Sequence, residues 1–410
     1  MFTRRQFLTY TLRNSSLVAL GAVVPQFVAR TAQASAPGKD NILVVLELTG
    51  GNDGLNMVIP YADDLYHKAR PTLRQTKDVV MRLDDHVGLH SRMQGLRPLW
   101  ERRQLAVVQG VGYPNPDRSH FEAMDIWQSA DPKKHMKSGW LGRATAEINN
   151  VGGGVPILHI GASRLPLAVA GAPGGGAVSL SDQNSFRLEI SGDNSKARRR
   201  LLAELSAPAS KAVEEDLASF VRRRQVQTLT AVENLQSLLE GPGAMQRQFG
   251  GLTQKLELIA GLIAKGFGTR LFYVNLDGFD THANEGPMHG NLLAELGGAI
   301  DTFFQSLKTT GHDRRVRLMT FSEFGRRVQE NDSRGTDHGA ASCMLVAGGS
   351  VKGGVVGKHP SLSDLDAGDL KFHTDFRRVY ATLLDSWLGC DSKTVLGAEW
   401  EHVAGLEAKG

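Results

Sequence analysis

Two apolar runs, each leading into a carboxylate beside an imidazole, constrain this chain more than any other feature. Thr269-Arg270-Leu271-Phe272-Tyr273-Val274-Asn275-Leu276 is rich in aromatic and β-branched residues and reads as a strand buried on both faces. It runs into Asp277-Gly278-Phe279-Asp280-Thr281-His282. Val316 to Phe321 reads as a second such strand. A polar loop after it ends in Gly335-Thr336-Asp337-His338-Gly339, ahead of the apolar run Cys343 to Gly349. Strands buried on both faces belong to open α/β sheets covered by helices. In such sheets ligands bind at the carboxyl ends of the strands. Asp280 and His282, with Asp277 as a rival carboxylate, and Asp337 with His338 are therefore candidate metal ligands, provided the strands are neighbours. Imidazole and carboxylate donors suit Zn²⁺ or Mn²⁺ better than a soft metal such as Cu(I). Either motif alone also reads as a turn aspartate and a hydrogen-bonded histidine.

Residues 1–36 have the form of an export signal. Thr3-Arg4-Arg5-Gln6-Phe7-Leu8 opens a charged start, Leu17 to Val24 is a short apolar centre, and Ala32-Gln33-Ala34 offers small residues for cleavage. The paired arginines followed by Gln-Phe-Leu resemble a twin-arginine signal, which implies the twin-arginine translocase as partner and a periplasmic or secreted bacterial location. Gly21 and Pro25 interrupt the centre, and it falls short of the roughly 20 residues of a membrane span, so no stable span is expected. Of 47 basic and 43 acidic residues, Arg4, Arg5, Arg13 and Arg30 and no acid lie in this segment, leaving 43 of each beyond it. The basic pI belongs to the signal, and nothing argues for a nucleic-acid partner.

The remaining chain is long enough for one large α/β domain, read here as residues 37–410. Asn41 to Leu48 reads as its first strand and leads into Thr49-Gly50-Gly51-Asn52-Asp53-Gly54-Leu55-Asn56. The glycine spacing does not fit G-x-G-x-x-G and no Walker lysine follows, which argues against a nucleotide-phosphate loop. Asp53 has the place of a metal ligand, and equally that of an ordinary turn aspartate. Val87 to Arg103 has helical spacing, and Gln104 to Gln109 reads as a second strand. In the loop that follows, Ser119 precedes a helix and has Glu122 three residues on, a capping box. A serine at a helix N-terminus also meets backbone N–H groups, a place for an anion and a nucleophilic hydroxyl. His120 beside it either contacts the same anion or lies on the surface. Pro156 to Ser191 is glycine-rich and reads as loops and short strands. Ala207 to Leu239 and Gln254 to Lys265 form a helical hairpin across Gly241-Pro242-Gly243, a lid, a partner surface or a core cover. Cys343 and Cys390 are the only cysteines, so the alternatives are a single periplasmic bridge or small core hydrophobes.

These residues carry a resemblance to the domain of unknown function 1501 family. The motifs are L-x-GGNDGLN at Leu48 to Asn56, YPNPxRSHFxAxDIW at Tyr113 to Trp127, GFDTHANE at Gly278 to Glu285, EFGR at Glu323 to Arg326 and GTDHG at Gly335 to Gly339. That family is similar to the alkaline phosphatase and sulfatase superfamily, which implies an alkaline phosphatase-like α/β fold, a mostly parallel central sheet flanked by helices in three αβα layers, and one or two divalent metals at the strand ends. By motif the resemblance implies Asp53, Asp337 and His338 on one metal, Asp280 and His282 on a second, Ser119 as nucleophile, and Glu323 as a further ligand or an exposed acid. The superfamily's second metal has another histidine before the final helix, which is lost here if its matching position lies within the helix. The matching stretch Phe372 to Leu384 offers His373 from a loop, as does His359 nearby, while Arg377 takes the helical position and could hold an anion.

The function this implies is an exported metal-dependent hydrolase of phosphate or sulfate esters, acting on a small-molecule or glycan ester. The alternative is a non-catalytic exported scaffold serving envelope assembly or carbohydrate binding. An ordinary serine hydrolase fits poorly, because no G-x-S-x-G elbow is present.

Overall fold

The computed structural model describes residues 41–148, 155–161, 165–171, 177–180 and 250–407. The export segment and the first helix of the hairpin lie outside the described residues. The strands of the main sheet are β1 (Ile42–Thr49), β2 (Leu105–Gly112), β3 (Ile157–Ile160), β4 (Ala177–Leu180), β5 (Leu271–Asp277), β6 (Val316–Phe321), β7 (Ser342–Gly348), β8 (Gly354–Val356) and β9 (Thr374–Asp375). Their order is β8-β2-β7-β6-β1-β5-β3-β4, with β9 paired to β2. All pairings are parallel except those of β7, which runs antiparallel to both β2 and β6.

The apolar strands are explained by layers on both faces. Ile42, Val44, Leu46 and Leu48 of β1 belong to one core, and Leu43 and Val45 to the other. The first core is closed by α2 (Leu252–Ala264) and α3 (Glu285–Thr309), through Leu256, Ile259, Leu293, Leu296 and Ile300. The second is closed by α1 (His120–Ser129) and α4 (Phe376–Thr382), through Ile126, Trp127, Phe376 and Tyr380. Each such side chain contributes about 1.5–3 kcal/mol on burial. The result is the three-layer αβα arrangement that the family resemblance implies.

β1 lies between β5 and β6, so the two motif-bearing strands are not adjacent. All three nevertheless run the same way, and β2 runs with them. Their carboxyl ends and the start of antiparallel β7 meet at one edge of the sheet. Gly50, at φ +117°, makes the meeting tight: a Cβ there would stand 2.5 Å from the Asp280 nitrogen.

Local differences from expectation have local causes. Val87 to Arg103 is not one helix. Gly88–Leu89 pairs with Val58–Ile59 and Met81–Arg82, and a 3₁₀ turn over Ser91–Leu96 precedes a helix over Arg97–Glu101. The turn presses on α3 so closely that a Cβ on Gly95 would lie 2.7 Å from the Gly297 carbonyl oxygen. Cys343 and Cys390 are free thiols buried in different cores. No helix among the described residues is long and apolar enough to cross a membrane.

Candidate metal centre

Three histidines and one aspartate converge at this edge: His120 from the first turn of α1, Asp280 and His282 from the loop after β5, and His338 from the loop before β7. His282 Nε2 lies 2.9 Å from His338 Nε2 and 3.1 Å from Asp280 Oδ1. His338 Nε2 is 3.2 Å from the same oxygen, and His120 Nε2 is 3.5 Å from Asp280 Oδ2. The His120 and His338 rings stand 4.4 Å apart between centroids, and Phe324 lies against both.

The outer nitrogens explain why the inner ones point together. His338 Nδ1 is 2.8 Å from the Arg118 carbonyl oxygen, which can only accept, so Nδ1 carries the proton. His120 Nδ1 is 2.8 Å from Glu323 Oε1, an oxygen that also accepts from the Gly50 N–H. His282 Nδ1 is 3.4 Å from Asp337 Oδ1, which accepts from Asn331 Nδ2 as well. With Nδ1 protonated, a neutral imidazole presents a lone pair at Nε2. His120 Nε2 is buried and has no hydrogen-bond partner.

The Arg326 guanidinium reaches this cluster, 2.7 Å from Asp280 Oδ1 and 3.5 Å from His282 Nε2, while the His120 and His338 lone pairs beside Asp280 are acceptors that a further cation would join. Ligand atoms of His120, Asp280 and His338 all lie within 4.8 Å of one another, a grouping of the size a divalent-metal site needs, tetrahedral Zn²⁺ having its ligand atoms about 3.3 Å apart. Acceptors on the Nδ1 side are the usual second layer of histidine metal sites. The donor set of His120, Asp280 and His338 therefore fits a divalent metal, with His282 beside it against His338 and Asp280.

Arg326 ties the loops together, and nothing in local sequence pattern marked it beyond its place in the EFGR motif. Its buried guanidinium donates to the carbonyls of Gly50, Gly51, Phe279 and Thr336 and, at 2.7 Å, to Asp280 Oδ1. Burial would raise the Asp280 carboxyl, but the bond from Arg326 and the charge it carries bring it down to about 2. The Glu323 hydrogen bond raises His120, against an opposing effect of burial. His338 is lowered by desolvation. The Asn331 bond lowers Asp337.

Other sequence candidates lie elsewhere. Asp53 is fully buried, with Oδ2 2.6 Å and Oδ1 3.2 Å from the guanidinium of buried Arg70, so its charge is met inside the protein. Burial would raise its pKa, but Arg70 holds it well below the carboxylate range. Its neighbour Glu285 is pushed upward by burial and by Asp53, and accepts from the Thr336 hydroxyl at 2.6 Å. Asp337 stands behind His282 instead of beside His338's inner nitrogen. Asp277 accepts from Asn275 Nδ2 and is exposed. His373 faces the Lys358 carbonyl at 2.6 Å, and His359 the Pro360 carbonyl at 2.8 Å. Arg377 pairs with Asp375 at 2.6 Å and stacks on Trp400. Ser119 is the exposed N-cap residue of α1, but its hydroxyl makes no capping bond and Glu122 pairs with Lys134, so the expected capping box is not formed. It stands between Arg118, which accepts from His338, and His120.

Fold and cluster together define an α/β protein with a candidate divalent-metal centre at the carboxyl edge of its sheet. The chain belongs to the family described as Protein of unknown function (DUF1501), whose family model matches residues 100–399. No curated protein matches the sequence. Solved structures to which it is similar include a protein in the alkaline phosphatase superfamily from Vibrio parahaemolyticus, at 11% identity over 87% of this chain and 69% of that one, TM-score 0.37. The PsFucS1 sulfatase from Pseudoalteromonas sp. aligns at 10% identity over 87% and 68%, TM-score 0.35. The lipoteichoic acid synthase LtaP from Listeria monocytogenes aligns at 8% identity over 70% of this chain, which spans 57% of that one, TM-score 0.31. These likenesses are distant.

Proposed function

We propose that this protein is an exported metal-dependent hydrolase of phosphate or sulfate esters, with residues 1–36 as its twin-arginine signal and 37–410 as one domain. The observation that carries this reading is the inward convergence of three histidine Nε2 atoms on Asp280, with an acceptor behind each Nδ1. His120, His338 and Asp280, with His282 beside them, would hold the ion, zinc or manganese by donor chemistry. A divalent cation there supplies Lewis acidity toward a phosphoryl or sulfuryl oxygen. Ser119 is the nucleophile: its oxygen bonds to phosphorus or sulfur, the bond to the alcohol oxygen breaks, and the hydroxyl proton passes to that alcohol. Water then releases phosphate or sulfate and restores the serine proton. Backbone N–H groups of the first turn of α1 face the anion, a favourable end of the helix. Arg326 keeps Asp280 ionised and in place.

A second reading, a non-catalytic exported scaffold for envelope assembly or carbohydrate binding, is favoured by the internal pairing of Asp53 and by the engagement of His373 and Arg377 elsewhere. Metal content by plasma mass spectrometry on the purified chain, with and without His338→Ala, tests the centre, and a screen of phosphate and sulfate esters with Ser119→Ala tests turnover. Metal in the wild type, its loss in His338→Ala and Ser119-dependent hydrolysis are expected. No bound metal after supplying Zn²⁺ and Mn²⁺ would overturn the hydrolase reading.

A further inference from the structure

A cleft of about 900 Å³ opens beside the metal centre, with His120, Asp280 and Glu323 at one end. Its acidic groups are answered within the protein. Asp280 accepts from Arg326, and Glu323 from the Gly50 N–H. Glu47 accepts from the Thr49 hydroxyl, the Gln128 amide and the Tyr273 hydroxyl. Lys255 donates to the Asn275 carbonyl at 2.8 Å and its charge acts on Asp277, which also accepts from Asn275 Nδ2. Asp125 is exposed to solvent. The donors that could hold a polyol are engaged in the same way, since Thr49, Gln128 and Tyr273 all turn to Glu47. Asn275 Oδ1, buried without a hydrogen bond, and His159 Nε2 both close on Gly161, where a Cβ would stand 2.4 and 2.7 Å from them.

The surface left for a ligand is apolar. Phe121 lies in the first turn of α1 beside His120 and is 85% exposed, more than any other large apolar side chain among the described residues. Met124 is one helical turn on, along the same face, and Leu165, Pro166, Leu167 and Ala170 line the cleft with it. Met124 and Leu165 pack part of their surface on the core behind them. An exposed ring beside a metal centre gains from an apolar group that covers it, and a second aromatic ring adds the edge-to-face or offset contact that such pairs favour.

We infer that this cleft takes the alcohol part of the ester as an aryl group packed on Phe121, with the phosphoryl or sulfuryl group at the metal centre. This rests on the hydrolase reading above.

Calorimetric binding of phenylphosphonate and methylphosphonate to the purified, zinc-loaded chain tests the inference. Both carry phosphorus on carbon, so neither has an ester bond to hydrolyse, and the anionic group they share makes the contribution of the metal centre cancel in their ratio. Phenylphosphonate is expected to bind roughly ten-fold tighter or more, the effect of covering one aromatic ring. In Phe121→Ser the preference should fall below about three-fold, with the affinity for methylphosphonate and the thermal midpoint unchanged. Equal binding of the two, or a preference that survives Phe121→Ser, overturns the aryl subsite while leaving the hydrolase reading standing. If neither binds, the hydrolase reading falls and takes the subsite with it.

Discussion

Asp53→Ala separates two roles that this residue could have, as a metal ligand or as the partner of a buried guanidinium. Both side chains of the Asp53–Arg70 pair are 0% exposed, and two hydrogen bonds join them. Arg70 keeps its bonds to the carbonyls of Val328 and Arg327 in the variant but loses its directly bonded counterion, Glu285 being the acid that remains near it. Removing one partner of a fully buried pair costs about 3–5 kcal/mol, roughly 10²- to 10⁴-fold in the unfolding equilibrium. Urea unfolding followed by circular dichroism should show this loss equally with and without EDTA, and metal content per folded molecule should stay at the wild-type value. Replacing both residues, as Asp53→Leu with Arg70→Met, should recover most of the stability, since well-packed apolar replacements of a buried pair are often neutral. The pH dependence has a definite sign. Asp53's carboxyl is depressed in the folded state, so its contribution is present above about pH 4, the unfolded value, and is lost as pH falls below it. Wild-type stability of Asp53→Ala in EDTA, together with loss of bound metal, would refute the reasoning and return Asp53 to the metal centre.

Glu285 has the opposite sign: raised in the folded state, it stabilises fully below about pH 4 and loses that contribution as pH rises toward its raised value, so Glu285→Gln should flatten the alkaline decline in urea midpoint. Glu323→Gln removes the carboxylate behind His120 and should weaken metal binding about 10- to 100-fold in a chelator competition, with the fold intact by circular dichroism. Cys343 and Cys390, both pushed up to about 12 by burial, should react with a thiol reagent only after unfolding, and reaction of the native protein at pH 8 would contradict their placement.

Much of the architecture was legible because its causes are local. β6 runs over Val316–Phe321 as the apolar run indicates, and β1, β5 and β7 begin and end within about two residues of their runs, because a strand covered on both faces must be apolar throughout. The positions of Asp280, His282 and His338 at strand ends followed from the same pattern. The membership of the cluster did not. His120 entered it from α1, and its partner Glu323 stands 203 residues away. The segment 87–103 broke into strand, turn and helix because α3 lies against it, a contact that periodicity within the segment does not contain.

The sequence by itself thus determined the layers, the site-bearing edge of the sheet and the residue types gathered there, since side-chain periodicity and strand-end loops depend on neighbours a few residues apart. Only the tertiary structure decided which charges meet. Asp53 turns inward to Arg70, while Asp280 faces three imidazoles and Arg326, and both outcomes depend on how carboxylates are desolvated and paired by groups brought from distant parts of the chain. Two aspartates in similar strand-end loops read alike in sequence. Burial beside different cations makes one a structural ion pair and leaves the other in the candidate metal centre.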